Sequence, residues 1–384
     1  MNIYYEFRIK YVNLGMVKEK EDELLYRIAL TQVEHIGDRS ARQLLQHFET
    51  AKEIFYAPPK RLIATGGFGG KKVQALRTVI DETKIRKELA FISKHNIQPL
   101  FITDERYPKQ LKACPDAPVL LYYKGNIDLN ERKLVAVVGT RNNTDYGLRA
   151  TEELIEGLRE QDAVIVSGLA FGIDVIAHRK AVQLGMSTIG VMAHGMDMVY
   201  PSQHKHITKE MVRNGGLLTE YPSGTDPDRF NFPMRNRIVA GMCDVTVVVE
   251  TEKRGGAMIT AKLAAGYNKD VMAYPGRTTD RKSDGCNYLL RTQMAQLITG
   301  PEDLIEMMNW ERDVKPKVMQ ARLFPNLTDI ETNIVHVLDG SEGVHIDVLC
   351  LKTGIDAVQL SSLLLGLELN GLVRSVPGKR YCLI

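Results

Sequence analysis

The sequence LVAVVGTRNNTDYG, residues 134–147, followed by DAVIVSGLAFGID, residues 162–174, decides the fold of this chain. Two apolar runs within it, Leu134–Val138 and Ala163–Val166, are short, unbroken and rich in β-branched residues. Strands that are buried on both faces of a parallel sheet have this composition. Between the two runs, Leu148–Leu158 keeps apolar residues at helical spacing. The stretch therefore predicts a βαβ unit with a right-handed crossover.

The turns that follow these two strands carry residues suited to an anion. In an open parallel sheet the carboxyl ends of the strands form the ligand crevice. Both Gly139–Arg141 and Ser167–Gly172 fall at such ends. Glycines let backbone amides approach a phosphate, a helix N-terminus favours its charge, and the Arg141 guanidinium can bind it bidentately. We predict a phosphate site at this edge of the sheet.

Length and composition limit the classes to which the protein can belong. A chain of 384 residues with 44% hydrophobic content can bury a large core in two or three domains. Its net charge of +3 indicates no particular partner. The five cysteines lack CxxC or metal-like spacing, and no apolar run is long enough to span a membrane. We expect a cytoplasmic protein with reduced thiols, no membrane association, no metal and no cofactor.

Residues 19–90 carry helical patterns broken by glycines, which predicts a small N-terminal helical domain. Its helical hairpins could present backbone amides to a nucleic-acid phosphate. The alternative is a structural domain packed through apolar residues such as Leu44 and Phe48. Because the acidic residues Glu34 and Asp38 lie beside the first turn, we favour the structural role.

Residues 91–310 alternate strand and helix patterns, which predicts a doubly wound, Rossmann-like α/β domain with a parallel sheet. Strands at Ile97–Ile102 and Val119–Tyr123 precede the βαβ unit, and we expect them to extend one edge of the sheet. Further strands are predicted at Ser187–Met192, Leu217–Thr219, Val245–Glu250 and Val271–Ala273.

The end of the chain predicts a separate small domain. Residues 311–324 have the charge and proline content of a linker. Residues 325–384 contain three helical patterns and a hairpin, the order of a winged helix. The first helix begins with Thr328 and Glu331 in capping-box spacing. The predicted recognition helix, Asp356–Asn370, carries no Lys or Arg, so we expect it to dock a protein rather than DNA.

A third constellation, Glu220–Gly241, leaves a strand through a turn-rich loop and is predicted to enter a helix near Asn236. Its alternating cations and aromatics are Arg229, Phe230, Phe232, Arg235 and Arg237. Such interleaving suits single-stranded nucleic acid, in which bases stack and phosphates pair with cations. The alternative is that the rings fill the core and the arginines cap helix ends. The density of both residue types favours ligand contact.

Two more loops are predicted to converge on the same edge, His194–His206 with Lys205 and Val247–Gly266 with Gly255 and Gly256. Carboxylates that could be catalytic are Asp174, Glu220 and Glu250, although such residues more often cap helices or turns. His178 is expected to pack or to form hydrogen bonds rather than to act as a base. The sequence shows no spacing typical of a nucleophile and its base.

Taken in order, the motifs of this chain resemble those of the DNA-processing protein family DprA. They are GTR (139–141), SGLAFGID (167–174), HRKA (178–181), DMVYP (197–201), TEYPSGTDP (219–227), FPMRNRIVAG (232–241), VVETEKRGGAMITA (248–261), YPGR (274–277) and GCNYLL (285–290). The resemblance covers about residues 97 to 300. It implies a Rossmann-like domain flanked by an N-terminal SAM-like helical domain and a C-terminal winged helix.

The resemblance also implies a function. Members of the family bind single-stranded DNA, protect it, and load the recombinase RecA onto incoming DNA during natural transformation. The resemblance further implies a homodimer made by the Rossmann domains. With the patterns above, it places DNA contacts at Gly139, Thr140, Arg141, Ser167, Gly168, Leu169, Ala170, Phe171, Gly172, Lys205, Phe230, Phe232, Arg235, Asn236, Arg237, Gly255 and Gly256.

The alternative is an enzyme, a nucleotide-cleaving phosphoribohydrolase on a similar Rossmann-like sheet. That family carries a PGGxGTxxE signature, in which the glycines hold phosphate and the glutamate does the chemistry. The corresponding loop here, KRGGAMITAK at 253–262, lacks the proline and the downstream glutamate. A dinucleotide oxidoreductase is disfavoured because GTRNNTDYG is not GxGxxG. We predict a binding protein rather than an enzyme.

Overall fold

The structure, a computed structural model, describes residues 22–78, 81–130, 132–310, 327–338, 343–369 and 372–383. The chain divides into two compact units, one up to residue 313 and one from residue 314. The predicted linker at 311–324 lies outside the described residues. The boundary predicted near residue 90 falls inside the first unit and stays a prediction.

The first unit begins with short helices that enclose an apolar core. The helices are α1 (22–32), α2 (Asp38–Leu45), α3 (Ala51–Tyr56), α4 (Pro59–Ala64), α5 (Gly70–Arg77) and α6 (Glu82–Lys94). Leu44 and Phe48 are buried in this core, as the structural interpretation predicted. Thr50 caps α3 by accepting the amide N–H of Glu53, which satisfies one free donor of the first turn.

A nine-stranded sheet follows, with the order β1-β2-β6-β5-β4-β3-β7-β8-β9. Its strands are β1 (Gln98–Phe101), β2 (Leu120–Gly125), β3 (Leu134–Val138), β4 (Val164–Ser167), β5 (Thr188–Val191), β6 (Gly215–Thr219), β7 (Val245–Val248), β8 (Asp270–Ala273) and β9 (Gln296–Leu297). Strands β3 to β9 pair in parallel, while β1 and β2 extend one edge in antiparallel pairing. This confirms the predicted sheet and its edge. The two-residue β9 was not predicted from the sequence.

Strand β3 lies at the centre of the sheet and is buried on both faces. Leu134, Ala136 and Val138 pack into one core, while Val135 and Val137 pack into another. Successive side chains of a strand point to opposite faces, so one apolar run serves both cores. The interpretation of this run as a doubly buried strand is confirmed.

Helices cover both faces of the sheet. They are α7 (Lys109–Lys112), α8 (Asp145–Gly157), α9 (Ile173–Gln183), α10 (Lys205–Arg213), α11 (Asn231–Met242), α12 (Gly256–Gly266), α13 (Asp284–Arg291) and α14 (Pro301–Met307). The strand order reverses beside β3, since β4, β5 and β6 lie on one side and β7 and β8 on the other. The loops after β3, β4 and β7 therefore meet at the point where open α/β sheets bind ligands.

Helix α11 begins earlier than the sequence predicted, at Asn231 rather than near Asn236. Asp228 stabilises the turn before the helix, because its carboxylate accepts a hydrogen bond from the Phe230 amide at 2.8 Å and its carbonyl accepts one from the Asn231 amide at 3.0 Å. Pro233 fits because amides in the first helical turn have no partner within the helix. The prediction of a loop up to residue 236 was wrong.

The second unit is a winged helix, as predicted. Its elements are α15 (Asp329–Leu338), β10 (Val344–His345), α16 (Ile346–Thr353), α17 (Ala357–Leu369), β11 (Val373–Val376) and β12 (Arg380–Leu383). Thr328 and Glu331 form the predicted capping box, with the Thr328 amide 2.9 Å from the Glu331 carboxylate. Across the described ranges, no single helix has the length and apolar composition to cross a membrane, and α16 with α17 reaches both only as a pair bent by 106°.

Candidate nucleic-acid interface

A cavity of about 1120 Å³ opens at the carboxyl ends of β3, β4 and β7. It lies where the strand order reverses, so three loops that are distant in sequence form one wall. The predicted contact residues that line it are Gly139, Thr140, Arg141, Gly168, Ala170, Phe232, Arg235, Asn236, Gly255 and Gly256. The predicted residues outside its lining are Ser167, Leu169, Phe171, Gly172, Lys205, Phe230 and Arg237.

One side of the cavity holds a cation among aromatic rings. The Phe232 ring centroid lies 5.9 Å from that of Tyr200, and the Arg141 guanidinium carbon lies 5.4 Å from the same Phe232 centroid. Tyr200 is half exposed, and Arg141 makes no hydrogen bond or ion pair within the described parts of the chain. A planar base can stack on such rings while a phosphate binds the free guanidinium. Tyr200 was not among the predicted contacts, although its loop, His194–His206, was predicted to converge on this edge.

The Ser167–Gly172 loop is held by a buried carboxylate. Asp174 accepts the amide N–H groups of Gly168, at 3.1 Å, and Ala170, at 3.4 Å. Gly172 has φ +76°, and a Cβ there would lie 2.2 Å from the Thr140 carbonyl oxygen, so only glycine fits. Two amides that were predicted to hold phosphate are therefore already bonded. The loop shapes the wall of the cavity rather than supplying these two donors.

The other predicted contact residues of this loop, Ser167, Leu169 and Phe171, lie outside the cavity lining. The Ser167 hydroxyl donates to the Val137 carbonyl at 2.6 Å, and Leu169 is buried. Phe171 is 44% exposed, and its ring packs edge-on against His204 at 5.0 Å, outside the cavity lining. Ser167 and Leu169 therefore stabilise the conformation of the loop, and Phe171 is exposed outside the cavity.

Arg235 lines the cavity, but its side chain is buried and engaged. Its guanidinium donates to the carbonyl of Gly168 at 2.7 Å and to that of Val191. Burial lowers the pKa of Arg235 to about 10, with Asp174 opposing this shift, so the group stays cationic at neutral pH. Its charge favours an anion in the cavity, although its Nη1 atom is committed to fixing the loop.

Arg237 faces away from the cavity. Its guanidinium donates to the Asp116 carbonyl and pairs with Asp38 at 3.2 Å and with Glu220. Asp38 also accepts the Val119 amide at 2.9 Å, so the first helical hairpin is fixed to the sheet here. We therefore leave Arg237 out of the proposed interface, because its guanidinium joins α2 to the sheet.

Two further arginines line the cavity: Arg229, which belongs to the predicted constellation but not to the predicted DNA contacts, and Arg254, which the sequence analysis did not single out. Both are exposed, and Arg254 has no hydrogen bond or ion pair among the residues described. Arg229 lies over the Phe230 ring at 4.7 Å, and this ring is 67% exposed outside the lining. The sequence could have indicated Arg254 as a contact residue, because it is adjacent to Gly255 in a loop that was predicted to reach this edge.

The N-terminus of α12 completes the site. Gly255 occupies its N-cap position and supplies no side-chain cap, and Gly255, Gly256 and Ala257 line the cavity. First-turn amides without a cap favour a bound anion, and the helix dipole adds to this preference. The acidic residues Asp226 and Glu252 also line the cavity, and Glu252 pairs with Arg281 at 3.3 Å.

The candidate catalytic groups have structural roles. Glu250 is buried and accepts the Thr144 amide at 2.9 Å and the Thr144 hydroxyl at 2.7 Å, at the start of α8. His178 is buried, its Nδ1 lies 2.7 Å from the Thr188 hydroxyl, and burial lowers its pKa to about 3. Among the described residues, no cluster of three or more His, Cys, Asp or Glu side chains could hold a metal. The cavity is suited to binding an anionic, aromatic ligand.

Comparison with known proteins identifies the family. The model described as DNA recombination-mediator protein A matches residues 98–309, and the DprA winged helix domain model matches residues 320–379. The protein Smf of Synechocystis is 32% identical over 395 residues, which cover 94% of this chain and 98% of that protein. The chain belongs to the DprA (Smf) family. The predicted family is thereby confirmed.

Two solved structures of the DprA family share the fold. The X-ray structure of DprA from Streptococcus pneumoniae is 34% identical, with a TM-score of 0.65, and covers 73% of this chain and 97% of that chain. The structure from Helicobacter pylori is 32% identical, with a TM-score of 0.52, over 57% of this chain and 99% of that chain. The latter is described by its unique single-stranded DNA binding mode. These likenesses and the domain models confirm the predicted Rossmann-like fold with a winged helix.

Proposed function

We propose that this protein binds single-stranded DNA in the cavity at the carboxyl edge of its sheet. In this proposal it protects incoming DNA and loads RecA during natural transformation. Membership of the DprA family supports a role in DNA processing. The observation that carries the proposal is the unpaired Arg141 guanidinium beside the Phe232 and Tyr200 rings.

The cavity suits single strands better than duplexes. A single strand exposes the faces of its bases, and stacking on an aromatic side chain contributes about 1–3 kcal/mol per base. A duplex hides these faces, so Phe232 and Tyr200 would contribute little to binding it. Phosphates of the strand can lie against Arg141 and Arg254 and against the N-terminus of α12.

The association of two copies through their Rossmann-like domains is also part of the proposal. Strand β9 lies at one edge of the sheet, with Leu297 49% exposed. An open strand edge with an apolar side chain can pair with another chain. RecA as a partner and a cytoplasmic location belong to the proposal through the family resemblance.

The test compares affinities for labelled single-stranded and duplex oligonucleotides by fluorescence anisotropy at several salt concentrations. Arg141→Ala should weaken the binding of all single-stranded sequences alike and reduce the salt slope by about 1, because a phosphate contact releases counterions regardless of base. Arg213→Ala is the matched control, since Arg213 is an exposed residue at the amino end of β6, on the opposite edge of the sheet.

Three outcomes would count against the proposal. The phosphate site is wrong if Arg141→Ala binds like the unmodified protein at every salt concentration. The single-strand preference is wrong if duplex oligonucleotides bind as tightly as single strands of the same length. Loss of affinity in Arg213→Ala equal to that in Arg141→Ala would indicate a general charge effect.

A further inference from the structure

A second cavity, of about 720 Å³, opens between the start of α8 and the loop that follows β8. Its volume lies within the range of about 300–1,000 Å³ that is typical of small-molecule pockets. Tyr146 and Arg149 of α8 line one wall, and Pro275, Gly276 and Arg277 line the other. The family comparison and the first cavity assign no role to these residues.

The aromatic ring of this second cavity is held in place. The Tyr146 hydroxyl donates to the Pro275 carbonyl at 2.7 Å, although the side chain is 41% exposed. A ring that is fixed at one end and exposed on its face is a ready stacking surface, because little conformational entropy is lost when a base packs on it.

Two unpaired cations flank this ring. Arg149 lies one helical turn after Tyr146, and Arg277 follows Gly276 in the opposite wall. Both are exposed, and neither guanidinium makes a hydrogen bond or an ion pair in the part of the chain that the structure describes. Guanidinium groups that line one cavity together with an aromatic ring suit the phosphate and the base of one nucleotide.

The backbone that carries Arg277 is fixed. The Asn287 side chain accepts the Gly276 amide at 3.2 Å and donates to the Gly276 carbonyl at 3.0 Å. A Cβ at Gly276 would lie 2.0 Å from the Ser283 hydroxyl oxygen, so the loop packs closely there. Arg277 is therefore presented from a rigid segment rather than from a mobile loop.

The acidic residues of the cavity do not neutralise these arginines directly. Asp280 accepts the Lys282 amide at 2.9 Å, and Asp145 occupies the first turn of α8, where a negative charge is favourable. Neither carboxylate forms an ion pair with Arg149 or Arg277 among the described residues. Both guanidinium groups are left to bind an anion from solution.

The second cavity adjoins the first through one short loop. Arg141 lines the first cavity and Thr144 lines the second. Three residues of extended chain span at most about 11 Å, a distance that a few nucleotides of one strand cover. Both cavities open at the carboxyl edge of the same sheet.

We propose that this second cavity is a nucleotide subsite that takes a base on Tyr146 and a phosphate between Arg149 and Arg277. The inference rests on the proposed function, since the nucleotide belongs to the single strand that leaves the first cavity. A free mononucleotide has the same chemistry and is the other source that the experiment separates from a strand.

The experiment measures affinity for oligo-dT of increasing length with the full chain, by fluorescence anisotropy. The double variant Arg149→Ala/Arg277→Ala should bind the shortest oligonucleotides like the unmodified protein. It should lose about tenfold or more in affinity for longer ones and about 1 in their salt slope, because one phosphate contact is removed. Tyr146→Ala should also weaken binding to long oligonucleotides, while Tyr146→Phe, which keeps the ring but loses the hydrogen bond that fixes it, should lose less affinity.

The outcomes separate this inference from the proposed function. If the double variant binds every length like the unmodified protein, the subsite is wrong and the first cavity stands. If Arg141→Ala leaves every affinity unchanged while the double variant loses it, the strand lies in the second cavity and the proposed function of the first is wrong. Binding of dTMP that the double variant abolishes, without any change in oligonucleotide affinity, would overturn the assignment to a strand.

Discussion

Replacement of Phe232 by alanine tests the stacking surface of the first cavity directly. The Phe232 ring centroid lies 5.9 Å from the Tyr200 ring centroid and 5.4 Å from the Arg141 guanidinium carbon. If one base stacks on this ring, its loss should cost about 1–3 kcal/mol of binding free energy. That cost corresponds to a loss of about 5- to 150-fold in affinity for single-stranded DNA.

The salt dependence separates stacking from phosphate binding. Phe232→Ala removes no charge, so the slope of log affinity against log salt concentration should stay nearly unchanged. Arg141→Ala should reduce that slope by about 1. Fluorescence anisotropy with a labelled oligo-dT at several salt concentrations measures both quantities.

Folding must be measured beside binding. A fully buried phenylalanine costs about 3–5 kcal/mol of stability on truncation. Phe232 is only partly buried at the cavity wall, so the cost should be smaller, about 1–2 kcal/mol. Thermal melting gives this value, and binding is then compared at a temperature where both proteins are folded.

Phe230 supplies the matched control, because it lies two residues away and outside the cavity lining. Its ring is 67% exposed, so Phe230→Ala should change neither the equilibrium constant for unfolding nor the affinity for single-stranded DNA by more than about twofold. Equal losses of affinity in the two variants would refute the stacking role of Phe232. So would normal single-strand binding by folded Phe232→Ala protein.

Two further predictions concern the winged helix and a buried carboxyl group. Removal of the chain from residue 311 onward should change the affinity for single-stranded DNA by no more than a few-fold, because α17 carries no Lys or Arg. A loss of tenfold or more, which corresponds to about 1.4 kcal/mol, would indicate that the winged helix contacts DNA directly. Burial raises the pKa of Glu220 from 4.5 to about 7, so the folded chain keeps a proton there that the unfolded chain releases. The stabilisation from this group is therefore present below pH 4.5 and lost as pH rises through about 7. Chemical unfolding at several pH values should show this loss, and an unchanged pH slope in Glu220→Gln would contradict it.

Local sequence patterns were sufficient to predict the architecture of each unit. Unbroken apolar runs such as Leu134–Val138 can be buried only inside a sheet that is covered on both faces. The alternation of such runs with helical patterns then leaves few topologies. It also follows that residues after parallel strands, such as Arg141 and Gly255, reach one edge. These inferences use only local periodicity and rules of connection, which a single sequence contains.

The contacts that each side chain makes at that edge could not be predicted in this way. Arg235 and Arg237 looked alike in sequence, yet Arg235 fixes the Gly168 loop and Arg237 joins the sheet to α2. Asp38, the partner of Arg237, lies 199 positions away in the chain. The loops of Tyr200 and Phe232 were expected at one edge, but the contact between the two rings could not be predicted from their positions in the chain. Side-chain contacts depend on distances of a few ångströms between remote segments, and local sequence patterns do not contain those distances.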